Sequence, residues 1–409
     1  MHILRNIFLF VFIAMLYSCK ENSNAQVNPQ STDLDPVEAY PPHTDFEPAF
    51  EGQTRAPGMQ TEAELGIEVI AESIGRPWGI THLPDGRLLI IDKFGFMQIF
   101  ETNGNLISKV TGFPIVDTDG QGCFLDVTLD PNFETNRMLY WSYSAPYQEG
   151  NLTYIAKGRL AEDEKTIENT EMIFRAEPAY KGRLHYGSRL LFDEEGYLFV
   201  STGERSDKET RMQAQDLDSG YGKIFRMTTD GNPAPNNPFI SDTSAIPQIY
   251  SYGHRNVQGL AIHPETQALW GGEFGPKGGD EINLIKPGNN YGWPIITYGL
   301  EYSGDAVGER IAQKEGMEQP NYYWDPAISF SGITFYNGEI SEWKNNLFLA
   351  GLAGSHIARL MLQDDKVVGE ERLLADEGER FRDVHQGKDG KLYAITDSGK
   401  IYKIGAKQE

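Results

Sequence analysis

The chain has 409 residues, of which 39% are hydrophobic, and a formal net charge of -23 at pH 7. This length and hydrophobic content suffice for a large buried core, which excludes a disordered chain or a fold that depends on disulfides. The strongly negative charge argues against nucleic-acid binding and against adhesion of the protein surface to anionic lipid. An anionic ligand would therefore have to meet a local cluster of Arg or Lys.

The N-terminal segment has the features of a bacterial export signal. A positively charged start precedes an apolar run from Ile7 to Leu16, and the motif LYSC follows. The run is short for a membrane span, so we predict a lipoprotein signal over residues 1–19, with Cys19 as the lipidated residue. An uncleaved anchor helix is the alternative. Both interpretations place the remainder in the periplasm or at the outer membrane, with the anchor as the only membrane contact.

Residues 20–60 are rich in Asn, Gln, Ser, Thr, Pro and Glu and lack apolar periodicity. Such a composition predicts a flexible linker with little structure between the lipid and a folded domain. The folded domain is predicted to cover residues 61–409.

Cys123 is the only cysteine that follows Cys19. The mature domain therefore has neither an intramolecular disulfide nor the twin-cysteine signature of haem attachment. If the protein transfers electrons, any haem belongs to a partner.

One unit recurs six times from Gly66 onward: a turn of the Asp-Gly or Asn-Gly type, or its equivalent, and then an alternating apolar strand. The irregular intervals between units exclude a solenoid of short repeats and suit four-stranded sheets with loops of variable length. Radial packing around an axis covers the face that each sheet would otherwise expose. The units are LPDGRLLIIDKFG (83–95), LDPNFETNRMLYWSYS (129–144), FDEEGYLFVSTGE (192–204), IHPETQALWGGEFG (262–275), FYNGEISEWKNNLFLAGL (335–352) and GKDGKLYAITDSG (387–399).

The predicted fold is accordingly all-β: a six-bladed β-propeller of four-stranded antiparallel sheets. No segment shows the long apolar 3.6 periodicity of a helix. The stretch LGIEVIAES near the start of the domain and GKIYKIG at its end are predicted to share one blade and close the ring. A pair of β-sandwiches is the competing architecture, but it needs a mid-chain linker that the sequence lacks.

The motif RFR suggests an anion site. Arg380 and Arg382 are two residues apart, so on an extended strand both point to one side and Phe381 points to the other. Two adjacent guanidinium groups repel each other unless an anion lies between them. The alternative is that each pairs with a nearby carboxylate such as Glu379 or Asp383.

The motif EFGPKGGDE suggests a cation site. Its glycines and proline leave carbonyl groups free of regular ladder bonds, and such carbonyls suit a hard cation such as calcium. The carboxylate of Glu281 and the carbonyl of Tyr291 could hold a second ion. A tight loop without an ion is the alternative.

His185, in the stretch RLHYGSRL, raises the same choice between structure and chemistry. A single histidine is more often a hydrogen-bonded structural residue than a base. Phosphate loops, nucleophile elbows and zinc-spaced histidine pairs are missing from the sequence, so any site must combine residues from scattered loops. The residues alone indicate a ligand-binding propeller with an anion site.

Six blocks of sequence, in this order, match a known pattern between about Pro77 and Ile404. Together they resemble the glucose/sorbosone dehydrogenase family, whose members are soluble pyrroloquinoline-quinone enzymes often called aldose sugar dehydrogenases. The blocks are RPWGITHLPDGRLLI, GQGCFLDVTLDPNF, HYGSRLLFDEEGYLFVSTGER, AQDLDSGYGKIFRMTTDGNPAPNNPF, SYGHRNVQGLAIHPETQALWGGEFGPKGGDEINLIKPGNNYGWP and RFRDVHQGKDGKLYAITD.

The resemblance implies a six-bladed propeller and a set of catalytic residues. It implies that His185 is the general base and that Gln121 lies at the substrate. It also implies that Arg255 and Asn256 lie beside the quinone, where Arg255 would stabilise the negative charge of the reduced cofactor.

The resemblance further implies how the cofactor and calcium are held. The carbonyls of Gly275 and Pro276 would hold a calcium ion that bridges protein and cofactor, and Arg380 and Arg382 would pair with the cofactor carboxylates. A further calcium ion, where relatives have one, would use the residues Glu281 and Tyr291.

The sequence departs from the family pattern at Ala353, in AGLAGSH, where relatives often have a basic residue near the cofactor. Cys123 replaces a glycine, and SFSG (329–332) replaces APSG. Loss of one cation would weaken quinone binding by about 1 to 3 kcal/mol, the scale of a charge-assisted hydrogen bond.

The resulting hypothesis is an enzyme that oxidises C1 of aldose sugars to lactones. Hydride would pass to calcium-bound pyrroloquinoline quinone while His185 takes the proton, and a quinone or a cytochrome would then accept the electrons. One alternative is a non-catalytic propeller that binds glycan or protein. The other is a calcium-dependent lactonase, which would need clustered carboxylates on its ion.

Overall fold

The computed structural model describes residues 34–407, so the predicted lipoprotein signal and Cys19 lie outside the described residues. Within this range, twenty-four strands form six four-stranded antiparallel sheets, as expected for a six-bladed propeller. The described part of the chain contains no helix long and apolar enough to cross a bilayer.

Blades 1 to 3 each consist of four consecutive strands. Blade 1 has β2 (Pro77–His82), β3 (Leu88–Asp92), β4 (Phe96–Phe100) and β5 (Leu106–Val110). Blade 2 has β6 (Phe124–Leu129), β7 (Met138–Tyr147), β8 (Gly150–Leu160) and β9 (Ile167–Arg175). Blade 3 has β10 (Gly187–Phe192), β11 (Leu198–Thr202), β12 (Lys223–Met227) and β13 (Ile249–Tyr252).

Blades 4 and 5 follow the same rule, and blade 6 combines both ends of the domain. Blade 4 has β14 (Val257–Ile262), β15 (Leu269–Glu273), β16 (Asp280–Leu284) and β17 (Tyr322–Trp324). Blade 5 has β18 (Phe330–Phe335), β19 (Leu347–Gly351), β20 (Ile357–Gln363) and β21 (Lys366–Leu373). Blade 6 has β22 (Phe381–Gln386), β23 (Leu392–Thr396), β24 (Ile401–Ala406) and β1 (Leu65–Ala71).

The ring closes as the sequence predicts. Strand β1 pairs antiparallel with β24, with Leu65 opposite Ala406 and Ile67 opposite Ile404. Helix is nearly absent from the described residues, where one short α-helix, α1 (Phe133–Asn136), accompanies two 3-10 turns (Arg211–Ala214 and Ser341–Trp343).

Strand β3 shows why the blade strands are apolar along their whole length. Leu89 and Ile91 pack into a cluster with blade 2, whereas Leu88 and Ile90 pack into a cluster with blade 6. Alternate side chains leave opposite faces of a strand, and here a neighbouring blade covers each face. The uninterrupted apolar sequence is therefore a consequence of radial packing.

The predicted flexible linker covers residues 20–60, of which residues 20–33 lie outside the described residues. Over residues 34–60 the structure differs from the prediction. Residues 34–60, which we call the N-terminal strap, have little regular secondary structure but lie along blades 4 and 5. Asp325 accepts hydrogen bonds from the backbone amides of His43 and Thr44, and Ala56 and Met59 are buried. The polar composition did not reveal this packing, because the contacts are made by individual groups and leave no periodic pattern in the sequence.

The propeller axis is blocked by a buried ion cluster. The Nη1 atom of Arg189 on β10 lies 3.3 Å from the carboxylate of Asp126 on β6 and 2.7 Å from that of Asp383 on β22. All three side chains are buried, and the Nε atom of Arg189 donates to the Gln258 carbonyl on β14. The cluster joins four blades, and its three side chains line a cavity of about 590 Å³ that is distinct from the one at His185.

Candidate active site at one mouth of the propeller

A pocket of about 380 Å³ opens at one mouth of the propeller. It brings together Gln121, His185, Arg380 and Arg382 from the predicted site, as well as Ala353. The other residues of its wall are Arg76, Trp78, Lys93, Gly120, Leu125, Tyr186, Gln258, Phe274, Tyr302, Ser329 and Leu352. Loops of all six blades thus meet in one cavity that is rich in cationic side chains.

His185 lies in this wall and is held by two hydrogen bonds. Its backbone amide donates to the Gln121 side chain at 2.8 Å, and its Nδ1 atom lies 2.7 Å from the buried Glu204 carboxylate. Because a carboxylate accepts, Nδ1 carries the ring proton and Nε2 is left as the acceptor. The residue also adopts a left-handed backbone conformation, with φ of 47°.

The imidazole of His185 is neutral over a wide pH range. Burial, with the nearby Arg255 charge, lowers the pKa of His185 to about 4, although Glu204 acts in the opposite direction. A neutral imidazole with an accepting Nε2 atom can take up a proton, as a general base must. The geometry therefore permits chemistry as well as packing.

Arg380 and Arg382 pair with a carboxylate other than those considered from the sequence. Both bind Asp397: Nε of Arg380 at 3.0 Å, and Nε and Nη2 of Arg382 at 2.9 Å and 3.1 Å. The expected alternation holds, since Phe381 is buried in the core while both arginines line the pocket. One carboxylate for two guanidinium groups leaves a net positive charge at this wall.

Trp78 adds an aromatic surface to the same wall. The Arg382 guanidinium lies 3.9 Å from the centre of the Trp78 ring, and the Lys93 ammonium lies 5.6 Å from it. Cation–π contacts of this kind hold cations in place while their remaining donors stay available. Lys93 also donates to the Gly120 carbonyl at 2.7 Å, next to Gln121.

Arg255 and Asn256 are buried behind the pocket and do not form its wall. The Nη1 atom of Arg255 donates to the carbonyls of Phe274 and Gly275, at 2.9 Å and 2.7 Å. In the described part of the chain, Nε of Arg255 and Nδ2 of Asn256 have no hydrogen-bond partner. Buried donors without partners are uncommon and need an explanation, such as a missing ligand or water.

The loop that contains Gly275 and Pro276 is tightly held by Asp280. The Asp280 carboxylate accepts from the Gly275 amide at 2.9 Å and from the Ser329 amide at 2.5 Å. A Cβ atom at Gly275 would lie 2.1 Å from the Gly279 carbonyl oxygen, so only glycine fits. This loop, residues 274–279, which we call the carbonyl loop, is therefore compact, and the Gly275 carbonyl already accepts one hydrogen bond from Arg255.

A second, very small cavity of about 10 Å³ lies between Glu273, Glu281, Arg255 and Tyr291. Burial and the neighbouring Glu273 carboxylate raise the pKa of Glu281 well above its ordinary value. Two carboxylates that face one cavity, the buried Glu273 and the half-buried Glu281, suit a cation. Within residues 34–407, however, no group of three or more His, Cys, Asp or Glu side chains could hold a metal, so backbone carbonyls would have to complete any site.

Several residues of the site were missed from the sequence. Glu204 ends one repeat unit, and Trp78, Lys93 and Asp397 lie in or beside others. Their partners come from different blades or distant loops, so a contact such as that of Glu204 with His185 depends on how the strands are registered. The register places Gly187 opposite Thr202, which brings the flanking residues 185 and 204 together.

This fold and this site define a class: a six-bladed propeller with a cationic pocket and a neutral, carboxylate-bound histidine at one mouth. The chain belongs to the glucose/sorbosone dehydrogenase family, because that family's model matches residues 74–403.

Individual relatives agree with this assignment. The aldose sugar dehydrogenase YliI of Escherichia coli (strain K12) is 39% identical over 351 residues, which cover 84% of this chain and 93% of that protein. The apo-form crystal structure of the soluble aldose sugar dehydrogenase from Escherichia coli superposes with a TM-score of 0.80 at 38% identity, over 84% of this chain and 100% of that one.

The structure of the PQQ-bound aldose sugar dehydrogenase from Streptomyces coelicolor has a TM-score of 0.68 at 30% identity, over 84% of this chain and 99% of that one. The protein is thus a homologue of aldose sugar dehydrogenases, and its predicted family and fold are confirmed.

Proposed function

We propose that this protein oxidises C1 of aldose sugars to lactones with pyrroloquinoline quinone and calcium. The observation that carries the proposal is the shared pocket, in which the Arg380–Arg382 pair and a neutral His185 line one cavity. This chemistry requires a binding site for the anionic quinone and a proton acceptor in the same cavity. Homology to aldose sugar dehydrogenases supports the aldose as substrate.

The pocket suits a planar tricarboxylate. Arg76, Lys93, Arg380 and Arg382 line it, and Asp397 neutralises only part of their charge. Guanidinium groups bind carboxylates through paired hydrogen bonds, and the Trp78 ring offers an apolar face. These residues would hold the carboxylates of the quinone in a chain whose overall charge is strongly negative.

The loop of Gly275 and Pro276 suits calcium by the chemistry of its donors. A carbonyl oxygen has two lone pairs, so the Gly275 carbonyl can accept from Arg255 and still face a cation. Glu281 and Tyr291 would hold a further calcium ion at the small cavity. When bound, the quinone supplies the hydride acceptor, and calcium polarises it as a Lewis acid.

His185 moves the proton. Its Nε2 atom takes the proton from the C1 hydroxyl of the sugar, while Glu204 holds the Nδ1–H tautomer and stabilises the imidazolium that forms. Gln121 donates toward the sugar through its side-chain amide, since its carbonyl oxygen is occupied by the His185 amide. Arg255, with an Nε–H that has no partner in residues 34–407, stabilises negative charge nearby.

Turnover by reconstituted protein tests the proposal. Purified protein is incubated with the quinone and calcium and then given an artificial electron acceptor and a panel of aldoses. We expect acceptor reduction that requires both additions. Absence of turnover, together with no retained quinone absorbance, would contradict the proposal.

Calorimetry distinguishes the alternatives. A propeller that only binds glycan or protein would show no heat with micromolar quinone. A lactonase would hydrolyse lactones without an electron acceptor, and it would need the clustered carboxylates that are missing from the described residues. We therefore favour the dehydrogenase.

We further propose that the protein acts in the periplasm or at the outer membrane, anchored through Cys19. The proposal rests on the N-terminal signal pattern. A membrane quinone or a cytochrome would then accept the electrons, since the protein has no haem attachment motif of its own. Membrane fractionation of the wild type and of a Cys19→Ser variant would test the anchor, because only the variant should be soluble.

A further inference from the structure

The N-terminal strap contacts one buried residue, Tyr298, through both its backbone and its side chain. Oγ1 of Thr44 lies 3.3 Å from the Tyr298 carbonyl oxygen, and the Phe46 ring packs edge-on against the Tyr298 ring at 6.2 Å. The Tyr298 hydroxyl lies 3.1 Å from Oε1 of Gln53 and 2.7 Å from Oε1 of Gln319, which lies outside the strap. Tyr298 is fully buried, and three strap residues thus fix it.

Tyr298 lies in the segment that joins the strap to the candidate site. We call residues 297–303 the rim loop. Leu300 of the rim loop exchanges two backbone hydrogen bonds with Lys277, which lies outside the rim loop: the Leu300 amide donates at 3.0 Å and the Lys277 amide donates at 2.8 Å. Lys277 directly follows Gly275 and Pro276, and Tyr302 of the rim loop lines the pocket of His185.

The strap and the carbonyl loop also share Asp325. Its carboxylate accepts the amides of His43 and Thr44, at 3.0 Å and 2.9 Å. A Cβ atom at Gly278 would lie 2.6 Å from the same carboxylate, so the carbonyl loop packs directly against it. The strap therefore reaches the carbonyl loop by two routes, through the rim loop and through Asp325.

We propose that the N-terminal strap is a positioning element of the active site. The rim loop and the carbonyl loop have little regular secondary structure, so they depend on neighbours for a single conformation. The strap supplies those neighbours and lies outside the range that the family model matches. It fixes the carbonyl loop for a cation and holds Tyr302 at the pocket wall. The effect on ligand binding rests on the proposed function, whereas the effect on loop order does not.

Hydrogen exchange in the full chain tests the proposal. Two variants weaken the contacts of the strap. Phe46→Ala removes the ring contact with Tyr298, and Thr44→Val removes the Oγ1 contacts with the Tyr298 carbonyl and the Asp325 carboxylate, with Thr44→Ser as the conservative rescue. The matched control is Glu38→Gln, which removes the ion pair of the strap with Arg372 on blade 5 and touches neither loop. The readouts are the exchange of the Leu300 and Lys277 amides and a calorimetric titration with calcium alone.

We expect Phe46→Ala and Thr44→Val to speed exchange of both amides by roughly tenfold, the scale of a local opening that has become easier. Calcium affinity should fall severalfold in the same variants, while Glu38→Gln and Thr44→Ser keep wild-type values. Equal exchange in Phe46→Ala and Glu38→Gln would overturn the proposal.

Faster exchange without a change in calcium affinity would overturn the link between strap and site. If the wild type itself bound no calcium, the proposed function and the link to the site would both fall. The exchange result would still decide whether the strap holds the rim loop.

Discussion

His185 is fixed by its backbone as well as by its ring. A φ of 47° is costly for a residue with a side chain, of the order of 1–3 kcal/mol, and persists only where the surroundings enforce it. Here the Gln121 side chain holds the amide and Glu204 holds Nδ1. These contacts hold the imidazole of His185 in the wall of the pocket.

Replacement of His185 by alanine should separate catalysis from binding. The variant lacks the atom that accepts the proton but keeps the arginine wall, so turnover should fall roughly a hundredfold to ten-thousandfold. Calorimetric quinone affinity should stay near the wild-type value. Undiminished turnover would remove His185 from the mechanism, and His263→Ala, at the surface of blade 4, is a control that should keep full activity.

The pH profile should show a low acid limb. The groups that act on His185 are Glu204, Arg255 and Arg205, and burial has the largest effect, lowering its pKa to about 4. Because the depressed pKa keeps the imidazole neutral, kcat/KM should hold as the pH falls through 6.5 and decline only near 4. A decline centred on 6.5 would show that the base is a solvated histidine.

The contacts of His185 show what the sequence could not provide. Its role was inferred from a family motif around the residue itself, whereas Glu204, which binds Nδ1, follows β11 and reaches His185 only through the pairing of β10 with β11. Asp397, which pairs with Arg380 and Arg382, is 15 residues beyond Arg382 and across a β-hairpin. Pairing at that distance depends on strand register, which short motifs do not specify.

One departure from the family pattern lies in a loop at the pocket. Ala353, in the loop after β19, is exposed and lines the pocket beside Arg380 and Arg382. Lys93 and Arg76 from blade 1 line the same pocket and supply positive charge near position 353, where relatives often have a basic residue.

A lysine at position 353 should strengthen quinone binding. Ala353→Lys adds a charge-assisted bond of about 1 to 3 kcal/mol, seen as a lower Kd in calorimetry. Ala353→Gln has a similar reach without charge and is the matched control. If both variants bind quinone equally tightly, the added charge is irrelevant and Lys93 and Arg76 already satisfy the carboxylates.

The strands were predictable and the strap was not. Each repeat unit joins a turn to an apolar strand, and these two signals are local, so six blades could be counted from the sequence. Residues 34–60 hold their place through single contacts, such as those of Thr44 and Gln53, that leave no pattern in composition.

The whole ring is tied together at its axis by the cluster of Arg189, Asp126 and Asp383. The three residues come from blades 3, 2 and 6 and are buried. Local sequence patterns contain no sign of this cluster, because it exists only once the inner strands surround a common axis.

Loss of Arg189 should destabilise the entire propeller. Arg189→Met would leave two carboxylates buried without their cation, which costs about 3–5 kcal/mol for a broken buried pair. Arg159→Met, which removes pairs with exposed glutamates at the surface, should leave the unfolding midpoint close to the wild-type value, because solvent screens exposed ion pairs. Denaturant unfolding measures both, and equal midpoints would mean that the axial cluster contributes little.

A crystal structure of the full chain with quinone and calcium would show whether the pocket binds the cofactor beside His185. We predict the quinone in the pocket at the propeller mouth, its carboxylates on Arg380 and Arg382, with calcium at the carbonyls of Gly275 and Pro276 and His185 facing the bound molecule. A pocket that holds only water at saturating quinone, or a quinone bound away from His185, would contradict this prediction.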